Sequence, residues 1–177
     1  MKPLVALTAA LLLGTPAAFA QTSSTTSTAG AQAVGTEEFV RMAGSSNRFE
    51  IESSRLALER DVSDGVEEFA TQMVADHTKA GEEMKAALEE AGMTVPSGEP
   101  EYTDKHAQML DTLEAAEGDA FERHYVTMQA QAHDEAVMLF SSYARSGDQP
   151  ALKAFAEETL PTLKEHQQHV KHMSGQK

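Results

Sequence analysis

The 177-residue chain has no cysteine and no tryptophan. Without cysteine, disulfide staples, a thiol nucleophile and a lipid anchor on an N-terminal cysteine are all excluded, so stability must come from an ordinary core. Cations are scarce: 14 Lys and Arg stand against 28 Asp and Glu, a formal net charge of −14. Nucleic-acid binding draws most of its affinity from clustered Lys and Arg that neutralise phosphates, so this balance argues against a nucleic-acid partner and disfavours an anionic lipid surface. After the first twenty residues no apolar run approaches the ~20 residues of a membrane span. Strand-like alternation of Val, Ile and Thr is missing as well, which points to an all-α fold.

The first twenty residues, MKPLVALTAALLLGTPAAFA, carry one charge at Lys2, an apolar run from Leu4 to Leu13 and the small-x-small ending Ala18-Phe19-Ala20. That is the pattern of a cleavable secretory signal, and it predicts a periplasmic or secreted protein cut near Ala20. Loss of Lys2 with the signal takes the net charge to −15. Such an acidic shell can concentrate cations or simply keep the protein soluble. Residues 21–35, QTSSTTSTAGAQAVG, are small and polar and read as a flexible linker. Residues 36–173 form the expected domain, and 174–177 a disordered tail.

Short Gly, Asp, Ser and Pro clusters at 61–65, 92–100 and 146–150 divide the domain into helical stretches. The first spans roughly 36–60, with Thr36 available to cap it and an inner stripe that includes Phe39, Met42, Phe49, Glu50 and Ala57. The second, about 64–91, is capped by Ser63 or Asp64, carries Val66, Phe69, Met73, His77, Met84 and Leu88 inward, and closes at Gly92. The third begins near Thr103, has a potential break at Gly118 and continues through Tyr125 and Ala136 to Tyr143. The fourth, about 150–172, places Leu152, Phe155, Thr159, Leu163, His166 and Val170 on its stripe, with Pro161 on the outer face as a predicted bend. Spacings of three and four suit packing at shallow angles, and short first and third connections suit antiparallel neighbours. The expected architecture is an up-down-up-down four-helix bundle.

Four polar residues interrupt these stripes. Glu50, His77 and His166 fall within their apolar arcs and His133 toward the edge of its own, at about 100° per residue. Glu50 lies 11 residues before Asp61, His77 13 after Asp64, His133 13 before Ser146 and His166 16 after Pro150. At ~1.5 Å per residue these depths agree within about 8 Å, so one polar layer can form with a member from each helix. A buried, unpartnered Glu or His is costly, and the available partners are one another or a cation. Glu50, His77, His133 and His166 are therefore candidate ligands of a divalent transition metal, with zinc, iron, copper and manganese all compatible with imidazole and carboxylate. The ligands must be neutral, which predicts affinity falling below about pH 6.5. The alternative is a hydrogen-bonded layer that sets helix register and binds nothing, in an envelope structural or stress-related interaction protein.

Further signals are weaker. The di-iron bundle pattern Glu-x-x-His is absent, since Val74 and Leu163 stand three residues before His77 and His166. His166, His169 and His172 follow one another at steps of three, but only His166 points inward. Met73 with His77, and His169 with Met173, are i,i+4 pairs whose soft sulfur suits copper(I), although methionine in a helical core is commonly packing. Asp76 points away from the seam, toward solvent. No phosphate-binding glycine loop or nucleophile elbow is visible, which leans the reading away from an enzyme.

The segments FEIESSRLAL (49–58), FATQMVADHTKA (69–80), FERHYVTMQAQAHDEAVMLF (121–140) and LKAFAEETLPTLKEHQQHV (152–170) resemble the bacterial exported family known as domain of unknown function 4142. The resemblance covers about residues 36–173 and rests on Glu50, Ser54, Asp76, His77, Tyr125, Gln129, His133, Leu160, Pro161 and His166. It implies a ferritin-like bundle and the same polar layer. It implies no activity, partner or oligomeric state.

Overall fold

A computed structural model of the protein describes residues 34–175. The signal segment, nearly all of the linker and the last two residues lie outside the described part. Five helices and no strand are found there: α1 Thr36–Leu58, α2 Asp64–Glu90, α3 Asp104–Ala115, α4 Gly118–Ser146 and α5 Pro150–Met173. The fold is all-α.

The punctuation acts as the sequence suggests, with some changes of partner. Gly92 takes φ +67°, the Gly92 amide donates to Glu89 O and the Met93 amide to Leu88 O, a closure in which glycine supplies the left-handed residue. Thr103 Oγ1 accepts from the His106 amide and starts α3. Thr36 is the first residue of α1, capped by Gly35, and Ser63 holds the cap position of α2 without a side-chain cap bond. Thr36 Oγ1 instead lies 2.6 Å from Tyr143 Oη, and Ser63 donates through its amide and its hydroxyl to Glu122, both at 2.8 Å.

Those two contacts fix the chain directions. The start of α1 sits at the end of α4, and the α1–α2 turn sits at the start of α4, so α4 is antiparallel to α1 and parallel to α2. The expected up-down-up-down order is thus corrected to up-down-down-up. The physical reason is the connection from 91 to 117, which contains α3 and is long enough to carry the chain back along the bundle. The third helical region is accordingly two helices, separated at Ala116 and Glu117 just before Gly118, whose φ is +52°. The long helices form a closed ring in which α1 packs on α2 and α4, and α5 on α4 and α2, while α3 lies against α1 and α4. Every neighbouring pair of long helices is antiparallel.

Two apolar clusters fill the interior. One gathers Phe49, Phe69, Met73, Leu113, Phe121, Tyr125 and Val170; the other gathers Phe39, Leu88, Phe140, Tyr143, Leu152 and Leu163. A fully buried side chain of this size stabilises by roughly 1.5–3 kcal/mol, so the clusters can tolerate a polar layer between them. α5 runs unbroken through Pro161, which is exposed as expected. Met42, expected inward, is 36% exposed. None of the described helices is long and apolar enough to cross a membrane.

Candidate metal centre

Each long helix brings one polar residue to the boundary between the two clusters. Glu50 follows Phe49 on α1, His77 follows Met73 by one turn on α2, His133 stands between Ala132 and Ala136 on α4, and His166 lies between Leu163 and Val170 on α5. All four are at most 4% exposed. His133, expected at the edge of its arc, is completely buried. The three imidazole centroids form a nearly regular triangle with sides of 5.7, 5.5 and 5.5 Å.

Every ring spends one nitrogen on an oxygen acceptor. His133 Nδ1 donates to the Gln129 carbonyl in the preceding turn of α4 at 2.9 Å. His166 Nε2 donates to the Asp76 carboxylate on α2 at 2.9 Å. His77 Nδ1 faces Asn47 Oδ1 and Glu50 Oε2 on α1, each at 3.0 Å. A neutral imidazole has one N–H and one lone pair, so the Gln129 carbonyl and the Asp76 carboxylate place the N–H of His133 on Nδ1 and that of His166 on Nε2, and the Asn47 oxygen places that of His77 on Nδ1. The lone pairs are left on His77 Nε2, His133 Nε2 and His166 Nδ1, all buried and without a hydrogen-bond partner. One ligand atom from each ring falls within 4.8 Å of the other two.

Burial keeps Glu50, His77 and His133 uncharged. It pushes the Glu50 carboxyl up to about 8, against a smaller downward pull from Ser46. It lowers His133 to about 4 and His77 well below the ordinary histidine value, where His133 and His166 lower it further. At neutral pH the His77–Glu50 contact is therefore one between neutral groups. Glu50 Oε1 has no partner, its nearest polar neighbour in the layer being His133 Nδ1 at 3.7 Å.

Leaving one buried polar atom unsatisfied costs about 1–3 kcal/mol, and four sit here in a domain whose total stability is of order 5–15 kcal/mol. A water can donate only two hydrogen bonds, one fewer than the three lone pairs require. A cation serves all three. A metal holding three imidazoles at about 2.0–2.1 Å spaces the nitrogens roughly 3.3–3.6 Å apart, so closure asks for inward shifts of about 1 Å.

Several participants have no role assigned to them by the sequence reading, although Asp76, Ser54, Tyr125 and Gln129 stand among the positions of the family resemblance. Asp76, expected to be solvated, is 37% exposed yet anchors His166, because residues adjacent on a helix point 100° apart and Asp76 falls on the α2/α5 seam. Asn47 stands one turn before Glu50, where the i,i+3 spacing is the signal that was available. Gln129 donates to Ser53 Oγ at 2.8 Å, and Ser54 Oγ lies 2.9 Å from Tyr125 Oη, extending the polar strip between α1 and α4. His106 is buried, bonded to Ser45 Oγ at 2.7 Å and stacked on Phe49, away from the triad. His169 and His172 are exposed, His169 against the edge of Phe69.

Fold and geometry together define an all-α bundle with a buried three-histidine cluster in its core. The chain belongs to the family described as Domain of unknown function (DUF4142), whose profile matches residues 20–173. No curated protein matches it in sequence. Similar solved structures include CopM in the Cu(I)-bound form, with 19% identity, TM-score 0.63, and 77% of this chain and 93% of that one covered. CopM in the Cu(II)-bound form gives 18% identity and TM-score 0.61, and in the Ag-bound form 18% and 0.63, each covering 80% of this chain and 96% of that one. At such identity the likeness is one of fold.

Proposed function

We propose that this protein is an exported, non-catalytic copper-binding bundle that holds one ion with His77 Nε2, His133 Nε2 and His166 Nδ1, with Glu50 beside them as a fourth ligand or as the anchor of His77. The observation that carries the reading is the buried three-histidine cluster, in which each ring keeps one nitrogen without a hydrogen-bond partner and offers one ligand atom within 4.8 Å of those of the other two. Copper is favoured over zinc, iron and manganese by two considerations. Nitrogen sites follow an affinity order that peaks at copper(II), and imidazole also serves copper(I). The similar structures were solved with copper or silver bound. The N-terminal secretory pattern supports delivery to the periplasm or the medium.

The ferritin-like bundle thus serves as a scaffold, while the paired carboxylates of a di-iron site have no counterpart among the residues of the layer. Purified protein exposed separately to copper, zinc, iron and manganese provides the test. Copper should bind one per chain, and His133→Leu should abolish binding while leaving the helices folded. A protein that stays metal-free with all four ions overturns the proposal.

A further inference from the structure

An ion held among side chains that are at most 4% exposed must have a way in. Four seams run between the long helices at the depth of the histidines, and three are closed. Asp76 bonds His166 across α2/α5 at 2.9 Å. Across α4/α5, Asp134 accepts from Gln167 at 2.6 Å and pairs with Lys171 at 2.5 Å. Gln129 and Ser53 tie α1 to α4 at 2.8 Å, and α3 lies over that seam, with Lys105 paired to Glu135.

The α1/α2 seam differs. A groove of about 1060 Å³ opens there, and Glu50 and His77 line it while His133 and His166 do not. Small residues among its lining leave the space unfilled: Ala43 and Gly44 on α1, Ala80 and Gly81 on α2. A Cβ on Gly81 would come within 3.1 Å of Asn47 Nδ2, the amide whose oxygen faces His77. The outer wall is the 93–101 segment, held to α1 by Arg48, which donates to Pro100 O at 3.0 Å and pairs with Glu99 at 3.0 Å. Gly44 lets that wall sit close, since a Cβ there would approach Pro100 to 3.0 Å. The interior is largely apolar, with Met84, Leu88, Phe155 and Leu163 among its lining, until it reaches Asn47, Glu50 and His77.

We infer that this groove is the port through which copper(I) enters and leaves the histidine layer, its inner end formed by Asn47, Glu50 and His77. A monovalent ion suits the passage, because the cost of moving an ion from water to an apolar surrounding grows with the square of its charge. This inference rests on the copper-binding reading above. Both separate cleanly in one experiment.

The full-length protein is loaded anaerobically with copper(I), and uptake and extraction by a water-soluble copper(I) chelator are followed by absorbance. Ala80→Trp and Ile51→Trp place bulk on opposite walls and should slow both rates by about tenfold, a modest added barrier, with the equilibrium Kd little changed. Arg48→Ala, which frees the outer wall, should speed both. Melting curves establish that each variant is folded. Unaltered rates in the two tryptophan variants and in Arg48→Ala, or faster exchange in Asp134→Ala, would overturn the port and leave the binding site standing. Failure of the wild-type protein to take up copper(I) would remove the binding site itself.

Discussion

Asp76 Oδ2 lies 2.9 Å from His166 Nε2, so a carboxylate on α2 orients a histidine on α5 and turns its Nδ1 lone pair toward the other two rings. Partners of this kind hold a ligand's tautomer, and losing one typically lowers metal affinity 10- to 100-fold. Asp76→Ala should weaken copper binding by roughly that factor, and Asp76→Glu should restore part of it. Chelator competition at fixed pH measures both. An unchanged Kd for Asp76→Ala would show that His166 needs no such anchor.

His133→Leu should raise the melting temperature of the metal-free protein. The substitution removes an unpartnered buried nitrogen, whose burden is about 1–3 kcal/mol, and fills the space with apolar volume. A gain of a few degrees by calorimetry is expected, together with loss of copper binding. A layer that exists only to set register would respond with a lower melting temperature.

Stability of the metal-free protein should peak near pH 6.5. Burial raises Glu50 from 4.5 to about 8, so the native state holds this proton more tightly, and its contribution is complete below pH 4.5 and lost by about pH 8. His77 and His133 are lowered, the latter from 6.5 to about 4, so their contribution is complete above pH 6.5 and lost as pH falls toward 4. The two histidines outweigh the single carboxyl below 6.5, and the carboxyl acts alone above it. Thermal melts across pH 4–9 should show this maximum, and Glu50→Gln should flatten the alkaline limb.

The same shifts alter the expected pH dependence of binding. Free imidazoles would begin to lose metal near pH 6.5, but burial keeps His77 and His133 neutral well below that value. As far as these two rings govern it, copper affinity should hold through pH 6.5 and fall only as pH approaches 4. Titrations at pH 7, 6 and 5 provide the check, and a steep loss between 7 and 6 would contradict it.

Much of this architecture is legible in the amino-acid order. The limits of the first, second and last helices agree within two residues, because Gly92 and Pro150 are strong local signals, and Thr103 marks the start of α3. Chain direction is not legible, since the residues from 91 to 117 can either turn locally or travel back along the bundle, and only the Thr36–Tyr143 and Ser63–Glu122 contacts choose. The four polar residues share one depth in either chain order. His77 is 13 residues from either end of α2, and His133 is 15 and 13 from the ends of α4, so reversing a helix scarcely moves its midpoint. Asp76 and Asn47 stayed hidden because their roles depend on which seam each faces, and that follows from the ring order of the helices.

The histidine layer lies between two apolar clusters that share no residue. Without an ion, each half of the interior has its own hydrophobic support, and the layer between them leaves four buried polar atoms without a partner. Such a molecule is able to open at one end while the other stays shut, and amide exchange would report two protection levels. A bound cation would act as a rivet through all the long helices, merging the halves into one cooperative unit, so that filling the site would be felt as stiffness tens of ångströms along the rods.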